Sequence, residues 1–74
     1  MIQADGFEKA ILGIGSSFGR EDVLVYDTAK ILDILVKRDG MTYEEAREYF
    51  EFNILGSYNG APMPVFVEEM LDDY

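Results

Sequence analysis

The sequence predicts a small single α+β domain spanning residues 1–74: an antiparallel β-hairpin over about 10–26, helices over about 28–38 and 43–55, and a short C-terminal strand or helical turn. Three features carry that reading. Two short apolar runs, residues 10–14 and 23–26, flank a segment of glycine, serine and charge. "DTAKILDILVKRDG" repeats its apolar residues at helical spacing between a capping aspartate and a stopping glycine. "MTYEEAREYF" begins with the S/T-x-x-E signature of a helix start.

The hairpin competes with a short helix from Asp5 that would place Phe7, Ala10, Ile11 and Ile14 on one face, but Gly13 and Gly15 make a poor helix end. In the first helix Asp27 suits the N-cap, Lys37 and Arg38 suit the negative end of the dipole, and Gly40 suits the left-handed stop. At 100° per residue Ile34, Ile31, Leu35, Leu32, Val36 and Ala29 cover more than half the circumference, leaving mainly Lys30, Asp33 and Lys37 for water. So broad an apolar arc predicts a central helix, packed on the sheet and on its successor. Asp33 and Lys37 fall at i,i+4 and can pair.

The second helix has the stronger start. Thr42 and Glu45 form a capping box, Met41 and Ala46 can staple it, and Glu44 and Glu45 face the positive end of its dipole. It should run to about Leu55, with Gly56 as its stop. Its buried stripe is Tyr43, Ala46, Phe50 and Ile54, flanked by Tyr49 and Asn53, while Phe52 lies nearly opposite and Leu55 points out beside Glu48 and Glu51. "GSYNGAPMP" is turn chemistry, with Asn59-Gly60 for a positive φ. Beyond it, Val65–Val67 fits a third strand completing an antiparallel sheet, although Val67, Met70, Leu71 and Tyr74 fall at helical spacing.

Composition narrows function by exclusion. With no cysteine and no histidine there are no disulfides, no thiolate or imidazole metal ligands, no cysteine nucleophile and no histidine base. Half the chain is hydrophobic, 49%, so it is not a disordered acidic tail. No apolar run is long enough to span a bilayer, and "MIQADGF" lacks a signal peptide's basic start and apolar core; a cytoplasmic location is expected. The formal charge of −9 opposes contact with a phosphate backbone or an anionic membrane. It is also uneven, because five of the six bases but only seven of the fifteen acids precede Met41.

Each candidate for chemistry has a plainer reading. Glu44, Glu45, Glu48 and Glu51 spread over about 120° of the solvent side of a helix, whereas a hard cation needs oxygens converging from several directions. They read as a solvated face, as does the terminal Asp72-Asp73 pair. "GIGSSFGR" has glycines and an arginine but lacks the Lys-Ser/Thr and following helix of a phosphate loop, and Glu21 and Asp22 would repel phosphate. Ser16 and Ser17 have no base to activate them. No catalytic residue, cofactor or metal site is expected.

The combination of "VYD" before the first helix, "RDGMTYEEAREYFEFNILGSY", Gly60 and "PVF" resembles a set of small uncharacterised proteins of tailed bacteriophages and prophages, including phages of marine cyanobacteria. The likeness covers roughly residues 10–66 and is densest over 43–58. The usual form ends in a Thr-Pro pair where this chain has Met63-Pro64. The resemblance implies a viral setting and a host-cell cytoplasm; it brings no activity, cofactor or functional residue.

Two features of the second helix remain. Phe52 and Leu55 make a small apolar strip inside an acidic face with Glu48 and Glu51, which reads as an interaction surface. Asn53, on the core side, is expected to be a structural polar anchor tying the following turn to the helix. The function expected is a non-enzymatic protein-binding module that self-associates as a homo-oligomer. Alternatives are an acidic nucleic-acid mimic that inhibits a host or viral protein, and a small-ligand binder using Asn53 with the stretch from Tyr58 to Pro62.

Overall fold

The computed structural model describes residues 1–58 and 62–69. It is an α+β fold in which a three-stranded sheet carries two packed helices. The hairpin pairs β1 (Ile11–Gly15) with β2 (Val23–Asp27) in antiparallel register, Ile11 opposite Tyr26 and Gly15 opposite Val23, with a bulge at Leu12. A short 3₁₀ turn, Glu8–Ala10, precedes β1, so the expected start of the strand moves by one residue.

The first helix, α1 (Thr28–Asp39), is capped as its sequence requires. The Asp27 carboxylate accepts from the Ala29 N–H at 3.0 Å, and Gly40 takes the left-handed conformation, φ 73°, while the Met41 N–H returns to the Leu35 carbonyl at 3.3 Å. Lys37 pairs with Asp33 at 3.3 Å. Ile31, Leu32 and Leu35 are buried and Ile34 and Val36 half-buried, and α1 packs on both β2 and the second helix. Ala29, expected in the apolar arc, is exposed; the buried first-turn residue is Thr28. The cap at Asp27 turns the helix so that its first residue faces the sheet.

The second helix, α2 (Tyr43–Tyr49), opens with both halves of the capping box: Thr42 N–H to Glu45 Oε1 at 2.9 Å, and Glu45 N–H to Thr42 Oγ1 at 3.1 Å. It then continues as a π-helix, Phe50–Ile54, and a 3₁₀ turn, Leu55–Ser57. Gly56 therefore lies inside the last turn instead of ending the helix in a left-handed conformation. The Ser57 hydroxyl closes the end by donating to the Ile54 carbonyl at 2.8 Å.

The third strand, β3 (Val65–Val67), corrects the expected antiparallel sheet: it pairs parallel to β2, Val65 opposite Val25 and Phe66 opposite Tyr26. Parallel neighbours need a crossover of a dozen or more residues, and the two helices supply it. Phe66 binds the layers together, stacked on Tyr26 with centroids 5.5 Å apart, edge-on to Phe50 at 5.4 Å and tilted on Tyr58 at 6.2 Å. The expected Asn59-Gly60 turn and the helical spacing of Met70, Leu71 and Tyr74 lie outside the described residues.

The N-terminal segment completes the core. Ala4, Phe7 and Ala10 are buried, the Ala4 N–H donates to the Tyr26 hydroxyl at 2.7 Å, and Arg38 donates to the Gly6 carbonyl at 2.8 Å with its guanidinium 5.1 Å from the centre of the Phe7 ring. Among the described residues no helix is long and apolar enough to cross a membrane.

Candidate functional site

The acidic face of the second helix is the site the sequence singles out, and its geometry follows from the change of helix type at Phe50. An α-helix advances 100° per residue, which would leave Asn53 and Ile54 on opposite edges of the side centred on Ala46 and Phe50. The i→i+5 pattern of a π-helix packs more residues into each turn, so each advances less. Ile54 thereby stays in line with Ala46 and Phe50, all three buried, and Asn53 is carried outward. Asn53 is exposed and its side chain makes no hydrogen bond among the described residues; the turn it is expected to tie lies partly outside them. Tyr43 departs from the expected stripe as well, at 61% exposure.

Phe52 and Leu55 lie where the spacing puts them, outside, at 73% and 43% exposure, with Glu48 and Glu51 exposed on the same side. Beside Phe52 the surface sinks into a hollow of about 430 Å³ lined by Met41, Tyr49, Phe52 and Asn53 and bordered by Asp39, Glu45 and Glu48. Two of those carboxylates are engaged: Glu45 closes the capping box, and Asp39 is held by both Nε and Nη2 of Arg38 at 3.0 Å, which lowers its pKa. Glu48 is left to face an incoming group. An aromatic wall under a carboxylate border accepts an alkyl stem ending in a cation.

A second hollow, between the two helices and the chain after β3, has a structural use. Arg47 donates to Glu68 at 3.0 Å and lies beside Tyr43, both of which push its pKa up, and the pair clamps the chain leaving β3 to the second helix. The Ser16 and Ser17 hydroxyls sit in the hairpin loop, and among the described residues no group of three or more aspartates and glutamates is gathered as a metal site would need. The stretch proposed for a small ligand is described only at its ends, where Tyr58 and Pro62 are half-buried.

The sequence reading missed a second surface. The helices cover only one face of the sheet; on the other, Val23, Val25, Val65 and Val67 form the floor of an open groove of about 960 Å³ walled by the hairpin loop and by Pro62 and Met63. The available signal was alternation: in "VLVYD" both residues flanking the buried Leu24 are valines, where a wetted face would carry polar side chains. Comparison with protein-family models, with curated proteins and with solved structures finds no match to the chain.

Proposed function

We propose that this protein is a non-enzymatic protein-binding module that self-associates and that takes a basic segment of a partner protein on the outer face of its second helix. One observation carries the reading: Phe52, a large aromatic at 73% exposure, stands over a hollow that sets Met41 and Tyr49 beside carboxylates. Exposed aromatics cost solubility, and inside an acidic face they suit a partner that offers lysine or arginine beside apolar side chains. Aromatic anchors of this kind dominate the energy of small interfaces. The resemblance to small phage proteins fits a module whose work is to occupy another protein.

Titration of isotopically labelled protein with a synthetic amphipathic peptide bearing leucine and lysine, followed by NMR, tests the proposal. Resonances of Tyr49, Phe52 and Leu55 should move together, and Phe52→Lys should weaken binding about tenfold or more with the fold intact. Binding that ignores Phe52→Ala and disappears steeply with added salt would refute this surface and favour the acidic mimic of nucleic acid.

A further inference from the structure

The face of the sheet that the described residues leave open gives the self-association in that reading a surface and a geometry. We propose that two copies pack face to face across a two-fold axis, the Phe18 ring of each seated in the valine groove of the other.

Knob and groove are built by one loop. Residues 17–20 form a tight turn, closed by the Arg20 N–H donating to the Ser17 carbonyl at 3.0 Å, with Gly19 at φ 77° in the third position. That geometry leaves Phe18 wholly exposed, at 104% of its reference area. The same loop forms one wall of the groove through Ser16, Ser17, Arg20 and Glu21. On the floor, Gly15 has no side chain because a Cβ there would lie 2.9 Å from Val25, so the loop end of the sheet stays open to an entering ring. A body presenting a knob beside its own hole is self-complementary under two-fold rotation.

Charge selects a second copy as the occupant. Two molecules each carrying −9 repel one another, most strongly wherever glutamates are dense, as on the second helix. The groove is lined by one arginine and one glutamate and is neutral. Arg20 makes no ion pair with its own chain among the described residues. In the two-fold arrangement Arg20 of each copy meets Glu21 of the other, two reciprocal pairs from one contact. A stable dimer hides about 800 Å² per partner, roughly a seventh of the 5495 Å² surface, and the four valines with the exposed Phe18 supply the apolar part of that contact.

Sedimentation equilibrium of the full chain from about 10 μM to about 1 mM tests the proposal, with far-UV circular dichroism to confirm that each variant folds. The wild type should dimerise, and Phe18→Asp and Val65→Arg should each raise the dissociation constant at least about tenfold. Arg20→Glu should weaken the dimer, and Arg20→Glu with Glu21→Arg should restore it. Phe52→Lys should leave it unchanged. A strict monomer at the highest concentration would overturn this proposal and the self-association it rests on. A dimer that survives both Phe18→Asp and Val65→Arg, that is lost in Phe52→Lys, or that the double exchange fails to restore would overturn the sheet-face geometry alone; peptide binding at Phe52, intact in Val65→Arg, keeps the two readings separate.

Discussion

Tyr26→Phe removes one oxygen atom and should cost far more than its size suggests. Tyr26 is fully buried, and its hydroxyl accepts the N–H of Ala4, itself only 5% exposed, at 2.7 Å. Deleting the acceptor strands a backbone donor where water does not reach, a penalty of about 1–3 kcal/mol, larger than the net worth of an average hydrogen bond. The terminal segment could escape that penalty by peeling away, but Phe7 is buried at 6% exposure under the Arg38 guanidinium and Arg38 also holds the Gly6 carbonyl, so release would sacrifice those contacts too. The ring itself is unchanged and keeps its stacking on Phe66, so the loss isolates the hydroxyl. Taking about 2 kcal/mol, and about 4–8 °C per kcal/mol for a domain of this size, the melting temperature should fall by about 8–16 °C. Thermal melts by circular dichroism, with hydrogen exchange at the Ala4 amide, provide the measurement. A shift below about 2 °C, or an Ala4 amide as protected as before, would refute the idea that this bond pins the N-terminal segment to the sheet.

Gly15→Ala should destabilise by about 1–3 kcal/mol in urea unfolding, since its Cβ would lie 2.9 Å from the Val25 side chain, and Gly15→Ala with Val25→Ala should recover most of the loss. Thr28→Val should stabilise by about 1–2 kcal/mol, because Thr28 is buried at 1% exposure and its hydroxyl has no hydrogen-bond partner among the described residues; a lower urea midpoint would show that the hydroxyl is satisfied. Burial, followed by the charges of Tyr26 and Asp5, raises the Tyr58 pKa above its ordinary 10.0, so between the unfolded and folded values the folded state holds the extra proton. Stability is therefore fully present below about pH 10 and falls as pH rises through the folded value, and Tyr58→Phe should flatten that fall in melts between about pH 9 and 12.

What the sequence disclosed was local, and what it concealed was tertiary. Asp27, Gly40 and the Thr42/Glu45 box mark their helix ends because a cap is satisfied within a few residues of itself. The hairpin strands follow from apolar runs around a turn for the same reason. The π segment is different. Nothing in "FEFNI" requires i→i+5 bonding; the wider turn brings Ile54 into line with Phe50 against the core and leaves Asn53 in solvent. The sense of β3 was also hidden, since a strand reached across two helices carries no hairpin turn to fix its direction. Phe52 and Leu55 could be placed outside from either spacing, which is why their exposure was legible despite an error in the helix that carries them.

The cations of this acidic chain divide by task, and the division separates its two surfaces. Arg38 and Arg47 each hold a segment that has little regular structure to hold itself: Arg38 clasps residues 6 and 7 to the end of α1, and Arg47 clasps Glu68 to α2. Anchored in this way, they offer little to a partner. The helix face is consequently left to its glutamates, with Phe52 as its apolar anchor, and suits a partner of opposite charge. Arg20 is set apart, at the rim of the valine groove and next to Glu21, where the surface is neutral. A molecule with −9 can meet a copy of itself only where its charge is locally balanced, and it can recruit a basic protein only where it is not. The two proposed interactions therefore call for different faces, and added salt should move them in opposite directions, strengthening the proposed dimer by screening the overall repulsion while weakening binding of a basic peptide.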